Sequence, residues 1–167
     1  MRSQIFSLKN AFSYIEFSNV VCTSLDKEFT DFDYCYLKAI NRSYKYISVK
    51  VKLYVLPITN VTVRYALLKK ANGYKPFLYN KTINACSFLK NRKHPVHIFM
   101  HDLIKERSNM NHTCPFDHDL IIDKLDSQYF NDKLMLLPFP PGEYAIFTTW
   151  SAYNIPRANF NVYVRVP

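Results

Sequence analysis

Three groups of residues have types and spacings that could do chemistry: a histidine pair, a cysteine-centred run of imidazoles and carboxylates, and tyrosines set among lysines. His97 and His101 stand at i and i+4, with His94 just ahead of them. Two histidines at that spacing share one helix face and can grip a metal. Residues 98–100 are Ile, Phe and Met, so the glutamate of an HExxH site is missing. The plainer expectation is a polar helix face, with no metal site. The run Asn111-His112-Thr113-Cys114-Pro115-Phe116-Asp117-His118-Asp119 places a thiol near two imidazoles and two carboxylates, the ingredients of a nucleophile with a base. That chemistry needs a free thiol, and an even cysteine set in an oxidising compartment leaves none. Asp117 and Asp119 serve equally well as turn formers. Tyr44, Tyr46 and Tyr54 interleave with basic residues as a base-stacking surface would, yet the same pattern describes the outer face of a strand. We therefore expect no catalytic residues, no cofactor and no nucleic-acid partner. A divergent hydrolase using His112, His118 and Asp119 stands only if Cys114 is free.

Composition narrows the field further. Gly73 and Gly142 are the only two glycines among 167 residues, so neither a dinucleotide-binding GxGxxG nor a phosphate-cradling P-loop can be built. No GxSxG nucleophile elbow occurs either. The formal charge of +9 is spread along the chain without a run of five like charges, which dresses a surface rather than marking an anion site. Four cysteines, at 22, 35, 86 and 114, contain no CxxC pair, so disulfides are the better reading than zinc, with three connectivities open. Sequons at Asn41, Asn60, Asn80 and Asn111 add to the expectation of a secreted glycoprotein. Against it, residues 1–13 are read as an N-terminal extension in which Ser7, Lys9 and Asn10 break any signal-peptide core. A missing start is the favoured explanation. Residues 14–167 are read as one domain, and no stretch is long and apolar enough to span a membrane as a helix.

The elements that must position these residues are mostly strands. From Tyr46 to Val55 the side chains of Ile47, Val49, Val51, Leu53 and Val55 alternate with Tyr46, Ser48, Lys50, Lys52 and Tyr54. Burying the first set contributes about 7–15 kcal/mol before the entropy cost. Ile15–Val21, Phe32–Ile40, Val61–Lys69, Tyr74–Ile83, Glu143–Tyr153 and Ala158–Val166 are the other expected strands. Hairpins are expected at Ala71-Asn72-Gly73 and around Asn154-Ile155-Pro156. Between Pro95 and Arg107, Val96, Phe99, Met100, Leu103 and Ile104 form one helical stripe, with Pro95 suited to its first turn. The fold expected is an antiparallel β-sandwich with one short helical insertion.

Longer motifs carry a resemblance. FSNVVCTSLDKEFTDFDYCYLKAINRSYKYISVKVKLYVLPITNV, NGYKPFLYN, ACSFLKN, SNMNHTCPFDHDLIIDKL and LPFPPGEY resemble a large insect family of small secreted proteins. That family is catalogued as a domain of unknown function and is related to the CheB chemosensory proteins. The match runs from about Tyr14 to the end. More remotely, the family is similar to the ML lipid-recognition superfamily, which includes the ganglioside activator. The resemblance implies an immunoglobulin-like sandwich that admits a lipid, and the pairings Cys22–Cys35 and Cys86–Cys114. It favours a secreted, non-enzymatic protein binding a hydrophobic small molecule or lipid, with chemosensory or pheromone perception as the implied setting and a membrane receptor as a further partner. Cavity candidates are Val49, Val51, Leu53, Phe99, Met100 and Leu103, with Phe147, Phe160 and Val162 from the last two strands. The alternative is an extracellular module with a filled core and a basic face for a protein or glycan.

Overall fold

Strand β3 (Lys45–Leu53) shows how the sequence pattern becomes a sheet. Its alternating apolar residues Ile47 and Val49 are fully buried in the core. The strand ends at Leu53, and Val55, expected on the inner face, is 49% exposed in the loop that follows. The other face is not simply wet, either. Tyr46 (8% exposed) packs against Tyr36, and the Ser48 hydroxyl (3%) accepts the Lys124 amide at 3.1 Å. Those groups are covered because β3 is a central strand, flanked by β2 (Thr30–Ala39) and β6 (Leu120–Asp126).

The computed structural model describes residues 15–134 and 139–167, so the N-terminal extension expected at 1–13 lies outside the described residues. A second sheet has the order β1-β8-β7-β4-β5, comprising β1 (Glu16–Ser24), β4 (Val61–Ala71), β5 (Gly73–Asn84), β7 (Gly142–Ala152) and β8 (Ile155–Val166). All pairings in both sheets are antiparallel. Phe17, Ile47, Val49, Leu125, Tyr144 and Val162 belong to one buried cluster between the sheets. This is the expected mainly-β sandwich.

Two details differ from expectation. The β7–β8 turn is Tyr153–Asn154, at φ 54° and 65°, and β8 already begins at Ile155. Two left-handed residues between paired strands suit the right-handed twist, and Asn tolerates that conformation well. There are also three short α-helices among the described residues rather than one: α1 (Ala85–Lys90), α2 (Pro95–Asp102) and α3 (Ser127–Leu134). The Asn84 side chain caps α1 by accepting the Ser87 amide, and Asp126 accepts the Tyr129 amide in the first turn of α3. The expected helix Pro95–Arg107 stops at Asp102 and is followed by a 3₁₀ turn at Lys105–Arg107.

The two disulfides close the sandwich differently. Cys22–Cys35 joins β1 to β2, the edge strands of opposite sheets, and so staples one side. On the other side, where β5 and β6 are the edge strands, α1 and α2 cover a cavity lined from both sheets. Cys86–Cys114 ties α1 to the loop leading into β6.

Candidate functional site

The opening under the helices leads into an apolar interior. A cavity of about 140 Å³ has Val61, Val63 and Tyr65 of β4, Ile146, Thr148 and Trp150 of β7, and Phe160 and Val162 of β8 on one wall. Phe88 and Leu89 of α1, Met100 of α2, Leu103 and Ile104 roof it, and Leu120 and Leu125 of β6 face it from the other sheet. A second cavity of about 80 Å³ continues towards the end of the sandwich, between Phe29, Phe32, Val49, Val51 and Ala158. Seven residues line both, Val61, Met110, Trp150 and Phe160 among them, so the two cavities adjoin. A third, of about 20 Å³, lies at the opposite end between Phe99, Leu134, Phe139 and Val166, and shares Met100, Leu103 and Ile146 with the 140 Å³ cavity.

Most cavity candidates read from the sequence lie on these walls. Val49, Val51, Leu53 and Phe160 face the 80 Å³ cavity; Leu53, Met100, Leu103, Phe160 and Val162 face the 140 Å³ cavity; Phe99 faces the smallest. Phe147 does not. It packs on the outer surface with Tyr74 (6.1 Å between ring centroids) and Tyr163 (5.7 Å). The register of β7 turns Ile146, Thr148 and Trp150 inward, and alternation sends Phe147 the other way. Sequence reasoning missed Trp150, Met110, Phe116 and Tyr65. Trp150 shares a face with Ile146, so choosing that face for β7 would have found it. Met110 and Phe116 sit in a loop with no periodicity to read.

The polar groups on the walls are few and mostly satisfied. The Trp150 indole N–H donates to Thr148 Oγ1, which donates to the Phe160 carbonyl. The Tyr65 hydroxyl lies 2.6 Å from His97 Nδ1. Burial, with Tyr79 adding to it, pushes the Tyr65 phenol up to about 12, so it stays protonated. A phenol O–H is a better donor than acceptor, which favours the arrangement with His97 Nδ1 as the acceptor and the ring proton on Nε2. Burial foremost, then His94 and Lys81, hold His97 below the usual histidine range. Burial also holds His101 down, against the pull of the Met110 carbonyl, which accepts from His101 Nε2 at 3.0 Å. Both imidazoles are therefore neutral at neutral pH. Phe88 meets each of them edge-on.

The other candidate chemistry is taken up by structural bonds. His94 stacks on His97 at 4.1 Å, and among the described residues no group of three or more His, Cys, Asp or Glu is placed to hold a metal ion. Cys114 is bridged to Cys86. His112 and His118 meet through their Nε2 atoms at 2.6 Å, and Asp119 accepts the Leu53 amide. Of the three tyrosines considered for base stacking, Tyr46 is buried. Asn41, Asn80 and Asn111 are exposed, and Asn60 is half-buried at the start of β4. No helix among the described residues is long and apolar enough to cross a membrane.

Residues 63–146 match the family described as Protein of unknown function (DUF1091), which is half of the chain. The chain belongs to that family. In this DUF1091 protein the matched segment runs from β4 to β7 and contains the helical cover and most of the larger cavity's roof. No curated protein matches the sequence. Among solved structures, a Niemann-Pick type C2 protein from Japanese carpenter ant aligns over 92% of each chain, at 13% identity and a TM-score of 0.33. At that score nothing about the site is carried across, and the functional reading of this DUF1091 protein rests on its own cavity.

Proposed function

We propose that the protein is a secreted, non-enzymatic carrier that holds a hydrophobic small molecule or lipid between its sheets. The observation behind this is the unfilled apolar interior, which persists although the chain is 16% aromatic. Protein cores pack as densely as organic crystals, with few voids larger than a water molecule. An empty apolar cavity costs about 24 cal/mol per Å³. A fully closed void of 140 Å³ would cost about 3 kcal/mol on that scale, an upper bound for a chamber that opens under the helices. A sandwich selected only for a surface role has Phe, Tyr and Leu available to fill that space. The extracellular interaction module with a packed core and basic face loses ground for the same reason. Two disulfides and the exposed sequons support secretion. The bridged Cys114 and the structural bonds of His112, His118 and Asp119 support a non-enzymatic role. Use in chemosensory tissue, with delivery to a membrane receptor, extends the reading along the resemblance to insect chemosensory proteins.

The test is native mass spectrometry of the protein expressed through a secretory route, with organic extraction of whatever co-purifies. A stoichiometric hydrophobe is the expected result. Protein that stays empty after exposure to cuticular lipids returns the reading to the interaction module.

A further inference from the structure

The walls also carry information about the shape and head of the occupant, an inference that rests on the carrier reading. An engineered cavity of about 150 Å³ holds one benzene ring. By that measure the 140 Å³ and 80 Å³ cavities together hold about ten heavy atoms, in two adjoining chambers that share Met110, Trp150 and Phe160 among their walls. A slender chain fits this shape, whereas a fused four-ring skeleton requires the sheets to part. Among the described residues the smaller chamber's one charged side chain is Arg157, already paired with Asp26 at 2.6 Å. No lysine or arginine among the described residues lines the larger chamber. A carboxylate head would thus be desolvated without an uncommitted cation in the lining. The larger chamber does contain the Tyr65–His97 pair. With Nδ1 occupied by the Tyr65 hydroxyl, the neutral His97 ring carries its proton on Nε2, which has no hydrogen-bond partner among the described residues.

We propose that the cavity selects a short linear amphiphile with one neutral oxygen head, such as an alcohol, aldehyde or ester of a chain of about ten heavy atoms. The head accepts a hydrogen bond from His97 Nε2–H, and the tail passes Trp150, which lines both chambers, into the smaller one. Tyr65 is a positioning residue that fixes the tautomer and the ring.

Trp150 is the sole tryptophan and lines both chambers, so its emission reports occupancy directly. Titrations with 1-octanol, nonane and cholesterol compare an alcohol with an alkane of equal heavy-atom count and with a bulky sterol. In the wild-type protein, octanol and nonane are expected to shift Trp150 emission saturably, and cholesterol is not. In His97→Phe, octanol binding weakens about five- to tenfold, the worth of one hydrogen bond, while nonane binding holds. Nonane thereby also checks that the variant is folded. Tyr65→Phe gives a smaller loss in the same direction. Equal effects of His97→Phe on octanol and nonane, or cholesterol binding as tight as octanol, overturn the proposal and leave the carrier reading standing. If none of the three shifts wild-type Trp150 emission, the carrier reading fails and this proposal falls with it.

Discussion

Burial holds the His97 and His101 imidazoles below the usual histidine range, so in the folded protein they take up protons only at lower pH than in the unfolded chain. Between the ordinary histidine value and the lowered folded values, the unfolded state binds more protons. Stability therefore rises with pH through that window and falls on acidification. Around His101, Arg92 and Lys105 oppose the charged form, while Asp102 and the Met110 carbonyl favour it. Burial outweighs the favourable pair. The urea midpoint is thus expected to drop as pH falls from about 7 to about 5, starting near the reference histidine value. His101→Gln keeps a donor for the Met110 carbonyl but cannot titrate, so its midpoint should fall less steeply. An unchanged slope would show that His101 is not held neutral.

Among the elements, β6 shows best what the sequence hides. Ile122 and Leu125 are both buried although three residues apart, which simple alternation forbids. A bulge resolves the conflict: Ile47 pairs Leu125 and Val49 pairs Ile122, so Asp123 and Lys124 together oppose Ser48. Lys124 sits there at φ 50°, a conformation that costs an L-residue about 1–2 kcal/mol. Lys124→Gly removes that cost but makes the unfolded chain more flexible, and a net gain of up to about 1 kcal/mol in denaturant unfolding is expected. A loss would mean that the lysine side chain contributes more than its backbone strain costs. The disulfides offer a second test at this scale. On the chain-entropy model the 13-residue separation of Cys22–Cys35 gives about 3 kcal/mol and the 28-residue separation of Cys86–Cys114 about 3.5 kcal/mol. Removing the second pair as Cys86→Ala/Cys114→Ala should also raise hydrogen exchange selectively in α1 and α2. Uniform loss of protection would contradict its role as an anchor of the cover. Strands were legible wherever alternation ran unbroken, as in β3 and β8. The helices α1 and α3 were not, because six or eight residues carry too little periodicity and depend on the caps at Asn84 and Asp126. The cavity was legible in part: alternation picked out Val49, Leu53 and Val162, but the face of β7 that distinguishes Trp150 from Phe147 is set by pairing with β4 and β8.

At the scale of the whole molecule, the sandwich is asymmetric in how it is held. One side is closed by a covalent staple between edge strands, and the other by short helices whose residues are mostly half-buried and which roof the cavity. Such a cover opens at lower free energy than the sheets do, so exchange of an occupant is expected through the helical side. The empty interior also makes stability and binding separable. Val61 lines both large chambers, and Val61→Phe would push a ring into space that now costs about 24 cal/mol per Å³ to keep empty. Overpacking elsewhere in a dense core costs about 1–3 kcal/mol, but here the ring has room, so stability should stay within about 1 kcal/mol of wild type. The same substitution should abolish the response of Trp150 to 1-octanol, because the added ring fills space on the wall that both chambers share. Calorimetry and the octanol titration on one preparation decide it. Unchanged stability with lost binding places the occupant between the sheets. A destabilised protein that still binds octanol would put the ligand elsewhere and show that the interior collapses around Val61 in solution.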